Sequence, residues 1–138
     1  HTFEHLKKPL KILRKMELAL KPKGYLVIEV PNANSANRHI FGANWQQLIV
    51  PEHLFFWSQK SLSALFEKTS LRVLKISYLG IFSFSGVSSL ANWLRSLGLS
   101  SQIATIISLF FLPISVVINA FSFTMRENLL FIAQKTNS

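Results

Sequence analysis

The sequence predicts an α/β protein, on the basis of three observations. Amphipathic segments with a period of three to four residues alternate with short apolar runs of strand length. Their order along the chain is helix, strand, helix, strand, helix and strand, which is typical of α/β domains. With 138 residues, of which 49% are hydrophobic, the chain has the length of at most one domain and enough apolar side chains for a core.

The elements follow from local patterns. Residues 9–20 carry apolar side chains on one stripe and Lys and Arg off it, and Pro9 suits a first helical turn. Residues 25–30 form an apolar run that fits a strand covered on both faces. We expect residues 32–57 to be irregular. The other predicted elements are a helix N-capped by Ser58 and ending at Thr69, a strand at 71–79, helices at 89–97 and 102–120 with a break at Pro113, and a strand at 128–134.

Composition excludes several classes of function. The absence of Cys excludes disulfides, thiolate zinc sites and cysteine catalysis. The five Gly residues include no pair two positions apart, which excludes a G-x-G-x-x-G dinucleotide loop, and no Walker phosphate loop is present. The net charge of +9 favours anionic partners or surfaces.

The charges are unevenly distributed, and this shift is the main internal boundary. Residues 7–23 contain seven basic side chains, whereas Arg95 is the only formal charge in residues 76–125. We interpret the basic cluster as a solvated helix face, with anionic lipid headgroups as the alternative. Nucleic acid is not predicted as a partner, because no aromatic residues are interleaved with these cations.

The charge-free run at residues 96–125 is long enough for a membrane span of about 20 residues. A single crossing would place the last strand on the wrong side of the bilayer to join its sheet. We therefore predict a helical hairpin, bent at Pro113, that returns the chain to its starting side. In order of preference, it is a buried or homodimer-forming hairpin, a contact with one membrane surface, or a true span.

The string His1-Thr2-Phe3-Glu4-His5 matches the H-x-x-E-H pattern of inverzincin metalloproteases. In those enzymes two His residues on one continuous helix hold zinc, and the Glu activates water. Pro9 argues against a helix through this point. A zinc metalloprotease is therefore a remote alternative.

The same string begins a series of motifs with a family resemblance. It is followed by the Pro-led helix, by Leu-Lys-Pro-Lys-Gly at 20–24, by Leu-Val-Ile-Glu-Val-Pro-Asn at 26–32, by Phe-Gly-x-x-Trp at 41–45, by Pro-Glu-His-Leu-Phe-Phe-Trp-Ser at 51–58 and by Glu-Asn-Leu-Leu-Phe-Ile-Ala-Gln-Lys at 127–135. This order resembles the C-terminal half of a Rossmann-like S-adenosylmethionine-dependent methyltransferase, in the subgroup of ubiquinone-biosynthesis and small-molecule enzymes. The resemblance covers residues 1–79 and 126–135, and residues 80–125 form a helical insertion.

The resemblance implies a partial methyltransferase fold with its last three strands, the final one antiparallel between the other two. It implies methyl transfer from S-adenosylmethionine to a small-molecule or lipid-like acceptor. The family's glycine-rich cofactor loop is expected upstream of His1, so the chain is expected to be a fragment that is inactive alone. No secretory leader is visible, and we expect a cytoplasmic protein that is peripheral to the membrane if the insertion contacts lipid.

By the same resemblance, His1 and Thr2 lie at the methionine end of the cofactor. Glu4 and His5 lie at the substrate mouth, as positioning groups or a base. Relatives can hold a divalent metal with a carboxylate and a later Glu-His pair. Because His1 replaces that first carboxylate, we assign no metal ligands. The alternative is that Glu4 and His5 only cap the following helix.

Three further candidates come from the loops. His53 is a substrate-side acid or base, as histidines often are near neutral pH, or a packed loop residue. Trp45 is a wall of an apolar substrate pocket, or an anchor of its loop. Asn32 follows a strand, where open α/β sheets bind ligands, or it caps the turn. The competing class of function is a non-enzymatic module that binds a membrane or a partner through the insertion and the basic face.

Overall fold

A computed structural model describes residues 1–80, 84–121 and 123–136. The described residues form three strands and six α-helices, joined by loops that include three short 3₁₀ turns. The elements are α1 (Pro9–Ala19), β1 (Tyr25–Pro31), α2 (Ala36–Phe41), α3 (Gln59–Phe66), β2 (Leu71–Leu79), α4 (Ser85–Ser96), α5 (Ser101–Leu109), α6 (Leu112–Phe121) and β3 (Asn128–Lys135).

The three strands form one sheet in the order β1-β3-β2, and β3 runs antiparallel to both neighbours. The strands β1 and β2 are therefore parallel to each other. Phe131 occupies the centre of the sheet, opposite Ile28 on one side and Ile76 on the other. The predicted α/β class and the antiparallel final strand between the other two are confirmed.

The core lies where α1 and α3 pack against one face of the sheet. Along β3, burial alternates with the period of two that a strand imposes, so that Leu129, Phe131 and Ala133 are fully buried. They cluster with Leu13 of α1 and Phe66 of α3. This cluster is the apolar core on which the sheet and the two helices depend.

The prediction that the first strand is covered on both faces is wrong. Tyr25 is 62% exposed and Val27 is 57% exposed, whereas Ile28 and Val30 are buried. In the described part of the chain β1 pairs only with β3, so it is an edge strand. An apolar run indicates that a strand is hydrophobic, but it does not indicate whether both faces of the strand are covered.

Helix boundaries agree with the sequence where a capping signal exists. Pro9 opens α1 at its first turn. Ser58 caps α3 as predicted, because its Oγ accepts the Ser61 N–H at 3.1 Å in a capping box. The prediction that residues 32–57 are irregular missed α2. Its six residues are too few for a periodic pattern, but Ser35 caps it by accepting the Arg38 N–H.

The helices α4, α5 and α6 lie between β2 and β3, which confirms the predicted helical insertion. Residues 81–83, at its start, lie outside the described residues. The first helix begins at Ser85 rather than at the predicted residue 89. It packs against α5 across the connection 97–100, so the hairpin is formed by α4 and α5, and the prediction that the hairpin turns at Pro113 is wrong.

The predicted break at Pro113 lies earlier, between Leu109 and Leu112, because proline is compatible with the first turn of a new helix. The axes of α5 and α6 bend by 53° there. Within the described residues, no helix by itself has the length and hydropathy of a membrane span, and only the bent pair α5–α6 reaches those values together.

The outer surface of the insertion is not buried within the chain. Ile106, Phe110 and Phe121 are 58%, 80% and 88% exposed. The first-ranked prediction was a buried or homodimer-forming hairpin, and its first half, burial within this chain, is wrong for this surface. Contact with a second copy and contact with a membrane stay predictions.

Candidate functional site

The first candidate site is formed by the 3₁₀ turn at Phe3–His5 and the loop at residues 52–57. The backbone carbonyl of Glu4 accepts the N–H groups of Leu54 and Phe55 at 2.9 and 3.1 Å. The rings of Phe3 and Trp57 pack beneath these bonds with centroids 5.5 Å apart. Main-chain hydrogen bonds and a buried aromatic pair therefore hold the loop against the turn.

This arrangement brings His5 and His53 together, with ring centroids 4.7 Å apart in an edge-to-face contact. Nδ1 of His5 lies 2.8 Å from the Glu52 carbonyl, and Nδ1 of His53 lies 2.8 Å from the Gln47 carbonyl. A carbonyl oxygen only accepts, so Nδ1 carries the hydrogen in both rings. In the neutral form, Nε2 of each ring therefore carries the lone pair that a base or a metal ligand requires.

The third member of the cluster is the carboxylate of Glu4. The Glu4 residue is 1% exposed, and within the described residues neither of its oxygens has a hydrogen-bond partner. The His1 imidazole lies nearby, with Nδ1 3.4 Å from Oε1 of Glu4, which is longer than a strong charge-assisted bond. A buried carboxylate without donors is costly, so this oxygen pair is available to a ligand or a charged imidazole.

One ligand atom each from Glu4, His5 and His53 lies within 4.8 Å of the other two. Two imidazoles and a carboxylate form a donor set that suits zinc and other transition-metal ions, as well as proton transfer. The cluster reaches solvent at His5, which is exposed, while the other two members are buried. Sequence reasoning did not assign a metal set here, because it compared Glu4 and His5 with His1 and not with His53.

The metalloprotease alternative is wrong for this geometry. The turn at Phe3–His5 ends in extended backbone at Leu6, and α1 begins only at Pro9. The H-x-x-E-H string is therefore not on one continuous helix, which the inverzincin arrangement requires.

His1 and Thr2 lie at the free edge of β1. Nε2 of His1 is 3.5 Å from Oε1 of Glu29, which also accepts a hydrogen bond from Asn128 at 2.8 Å. His1 and Thr2 line an open groove of about 240 Å³. Its other lining residues are Phe3, Leu6, Ile12, Met16, Val27, Ile28 and Glu29. Sequence reasoning missed Glu29, although a single charge in an otherwise apolar strand was a signal for it.

Asn32 lies at the carboxyl end of β1 and is buried. Its Oδ1 accepts the Asn34 N–H at 2.9 Å, and its Nδ2 donates to the Arg126 carbonyl at 2.8 Å. The side chain therefore caps the turn, as the alternative prediction held. It also lines a polar groove of about 360 Å³ at the carboxyl ends of β1 and β2, with Asn34, His39, Gln59, Tyr78, Thr124 and Met125.

Trp45 is 2% exposed, and its indole N–H donates to Oε1 of Glu127 at 2.7 Å. Asn37 and Ser85 donate to the same carboxylate at 2.8 and 2.7 Å. The centroid of the Phe56 ring lies 6.3 Å from the ring centroids of both Trp45 and His53. Phe56 therefore separates Trp45 from the Glu4–His5–His53 cluster. Its direct contact with a substrate stays a prediction.

The anchoring role of Glu127 was missed from the sequence. The sequence feature that could have indicated this role is that Glu127 is the only acidic residue after Glu67, in a strongly apolar part of the chain.

Residues 1–76 match the model of a family described as a methyltransferase domain. The chain belongs to this family. The match covers most of the sheet region and contains the Glu4–His5–His53 cluster, whereas the insertion and β3 lie outside it. A search among curated proteins gave no match for this methyltransferase domain.

A methyltransferase domain generally uses a cofactor of the S-adenosylmethionine type, and binding it requires a suitable set of residues. The family's cradle depends on glycines at a tight turn, and no two glycines of this chain have that spacing. Among the described glycines, a side chain on Gly24 would meet its own turn at Lys21, and one on Gly86 would meet Ser115. Neither glycine lines the groove at His1. The described residues therefore do not contain the glycine cradle of this family.

Proposed function

We propose that this chain carries the acceptor side of an S-adenosylmethionine-dependent methyltransferase that acts on a small-molecule or lipid-like acceptor. The observation that carries the proposal is the convergence of Glu4, His5 and His53 at one opening within the part of the chain that matches the family. Bound S-adenosylmethionine would supply the methyl group. The residues of this chain would position the acceptor and accept its proton.

In this proposal His53 is the base. Its ring is buried and held by the bond from Nδ1 to the Gln47 carbonyl, which leaves Nε2 as the proton acceptor. The exposed His5 positions the acceptor at the mouth of the cluster. The buried carboxylate of Glu4, which accepts no hydrogen bond from the described residues, stabilises the imidazolium that forms when His53 takes the proton, because opposite charges attract strongly where water is excluded.

We also propose that the cofactor cradle is formed by sequence outside these 138 residues. Supporting this, β1 has no partner on its outer edge among the described residues, its face opposite the core exposes Tyr25 and Val27, and the open groove with His1 and Thr2 lies beside it. Native sheets usually protect the unpaired backbone groups of an edge strand. A strand that pairs with β1 would cover this edge and close the groove.

The proposed function is tested by methyl transfer from radiolabelled S-adenosylmethionine, with the chain expressed together with its upstream coding sequence. We expect His53→Asn to lower kcat by about 100-fold or more, as loss of a general base does, with unchanged cofactor affinity. Glu4→Gln should lower it by about tenfold through loss of charge stabilisation. The matched control is Glu67→Gln, on an exposed carboxylate outside the site. Unchanged activity in both site variants would contradict the assignment.

Two calorimetric titrations separate the parts of the proposal. The 138-residue chain should bind S-adenosylmethionine weakly or not at all, and tight binding would contradict an external cradle. A zinc affinity that Glu4→Gln abolishes would make the cluster a metal site rather than a proton-transfer site.

The competing function, a non-enzymatic membrane or partner-binding module, is favoured by one observation, the exposed apolar surface of α5 and α6. The two functions predict different results for the extended chain. Cofactor binding and turnover support the enzyme. A chain that binds vesicles but neither binds nor consumes the cofactor would support the module.

A further inference from the structure

The helices α5 and α6 have the reverse of the polarity expected in water. Their fully buried residues are small or polar, namely Ala104, Ser108, Ser115 and Asn119. The exposed positions of these helices and of the connection between them include large apolar side chains at Ile103, Ile106, Ile107, Leu109, Phe110, Ile114, Val117 and Phe121. A helix on the surface of a protein in water normally buries its apolar stripe and exposes its polar one.

The protein covers only a narrow stripe of each helix. The buried residues are spaced four apart, at 104 and 108 in α5 and at 115 and 119 in α6, and this spacing defines a single line along a helix. Apolar side chains occupy most of the remaining circumference, apart from the polar start of α5 and Thr105. A second protein copy would cover one further side, whereas lipid chains surround a helix. This pattern favours lipid over a dimer.

The packing inside the insertion is of the kind found between helices in membranes. A Cβ on Gly86 of α4 would lie 2.3 Å from Oγ of Ser115, so α4 and α6 approach closely at a glycine. The buried amide of Asn119 donates to the Ser115 carbonyl at 2.9 Å, and Ser108 donates to the Thr105 carbonyl at 2.9 Å. Small residues and locally bonded polar groups pack helices when no hydrophobic driving force operates between them.

The charges that flank the insertion in the sequence are basic. Between Arg95 and Arg126 the sequence has no formal charge. The only acid after Glu67 is Glu127, which is 1% exposed and accepts three hydrogen bonds. In the described residues after Glu67, the exposed charges are therefore cationic. Anionic lipid headgroups attract such cationic side chains.

Topology and length decide how the insertion meets a bilayer. Leu79 at the end of β2 pairs with Asn128 at the start of β3, so the chain leaves and re-enters the sheet at one point. The helices α5 and α6 have 9 and 10 residues. Each is therefore about 15 Å long, half of the hydrocarbon thickness of about 30 Å. Because neither helix alone spans the bilayer and the insertion begins and ends at one point of the sheet, the insertion meets one leaflet from one side.

We propose that α5 and α6 dock this domain onto one leaflet of an anionic bilayer. Phe110 and Phe121 lie among the acyl chains, and Arg95 and Arg126 lie at the headgroups. The proposal does not depend on methyl transfer, because no residue of the Glu4–His5–His53 cluster belongs to the insertion.

Vesicle flotation of the full chain tests the proposal. The probes are vesicles of phosphatidylcholine alone and vesicles with about 30% phosphatidylglycerol, which should bind the chain more tightly because of its cationic surface. The variant Phe110→Ser with Phe121→Ser should lower the partition coefficient on anionic vesicles by about tenfold or more. Leu18→Ser with Val50→Ser removes two apolar side chains that are 78% and 69% exposed elsewhere, and should change it less than about twofold.

A second measurement does not depend on loss of binding. In vesicles of brominated lipid, Phe110→Trp should lose more tryptophan fluorescence than the wild-type chain does. Leu18→Trp should lose no more than the wild-type chain. Circular dichroism shows whether each variant is folded. A wild-type chain that fails to float with anionic vesicles would overturn the proposal. So would a lipid-independent dimer in sedimentation velocity that the double Phe variant dissociates, because a second copy would then cover this surface.

Discussion

The sheet region (residues 1–79 and 128–136) and the insertion (residues 84–121) are built in opposite ways. The sheet region buries large apolar side chains such as Leu13, Phe66 and Phe131 and carries most of the chain's charges on its surface. The insertion buries small and polar residues such as Ser89, Ser108 and Asn119 and exposes Phe and Ile. Apolar burial explains the first region in water, whereas the second is consistent with an apolar environment around it.

The two regions are joined by a buried carboxylate. Glu127 accepts hydrogen bonds from Asn37 and Trp45, which precede the insertion, and from Ser85 at its start. The ring of Phe56 contacts both Trp45 and His53. The hydrogen bonds of Glu127 therefore also connect the insertion to the candidate site, through Trp45.

The largest expected effect compares two phenylalanines. Phe131 is fully buried and stacks on Phe66 at 5.6 Å, and Phe131→Ala should lower the free energy of unfolding by about 3–5 kcal/mol. Phe121 is 88% exposed, and Phe121→Ala should change it by less than about 0.5 kcal/mol in detergent-free buffer. Urea denaturation measures both. Equal losses would show that the outer surface of the insertion is covered in solution.

The next effect concerns the carboxylate that joins the regions. Glu127→Gln replaces one acceptor oxygen with an amide donor that faces other donors, and should cost about 2–4 kcal/mol. The matched control, Glu67→Gln, is exposed and should cost less than about 0.5 kcal/mol. Urea denaturation gives both values, and tryptophan fluorescence reports the local change at Trp45. A neutral Glu127→Gln would show that the hydrogen bonds contribute little to joining the regions.

A smaller effect tests the close helix packing in the insertion. Gly86→Ala places a methyl group 2.3 Å from Oγ of Ser115 and should cost about 1–3 kcal/mol. Ser88→Ala, on the same helix but not at this contact, is the control. If the clash is the cause, adding Ser115→Ala should recover part of the loss, which a double-mutant cycle measures. Full additivity would contradict the contact.

The smallest expected effect is local. Ser58→Ala removes the N-cap of α3 and should lower the free energy of unfolding by about 1 kcal/mol. Lys60→Ala, on the exposed side of the same helix, should be close to neutral. Thermal unfolding followed by circular dichroism distinguishes the two. A silent Ser58→Ala would mean that tertiary packing holds this helix end without its cap.

The candidate site shows where prediction from the sequence reached its limit. The motifs identified His5 and His53 separately, but their contact depends on hydrogen bonds between the turn and a loop far along the chain. Glu29 and Glu127 were missed as site-supporting residues for the same reason, since each has partners remote in sequence. No local pattern specifies which donors a carboxylate will meet.

Local chemistry in the sequence determined the strands, the start of α1 at Pro9 and the cap of α3 at Ser58. These features depend on side-chain period, backbone angles and hydrogen bonds among near neighbours. The tertiary structure decided that β1 is buried on one face, that Glu4 meets two histidines, and that α5 and α6 turn their polar stripe inward. Burial depends on what surrounds a side chain in space, and residues distant in sequence supply those surroundings.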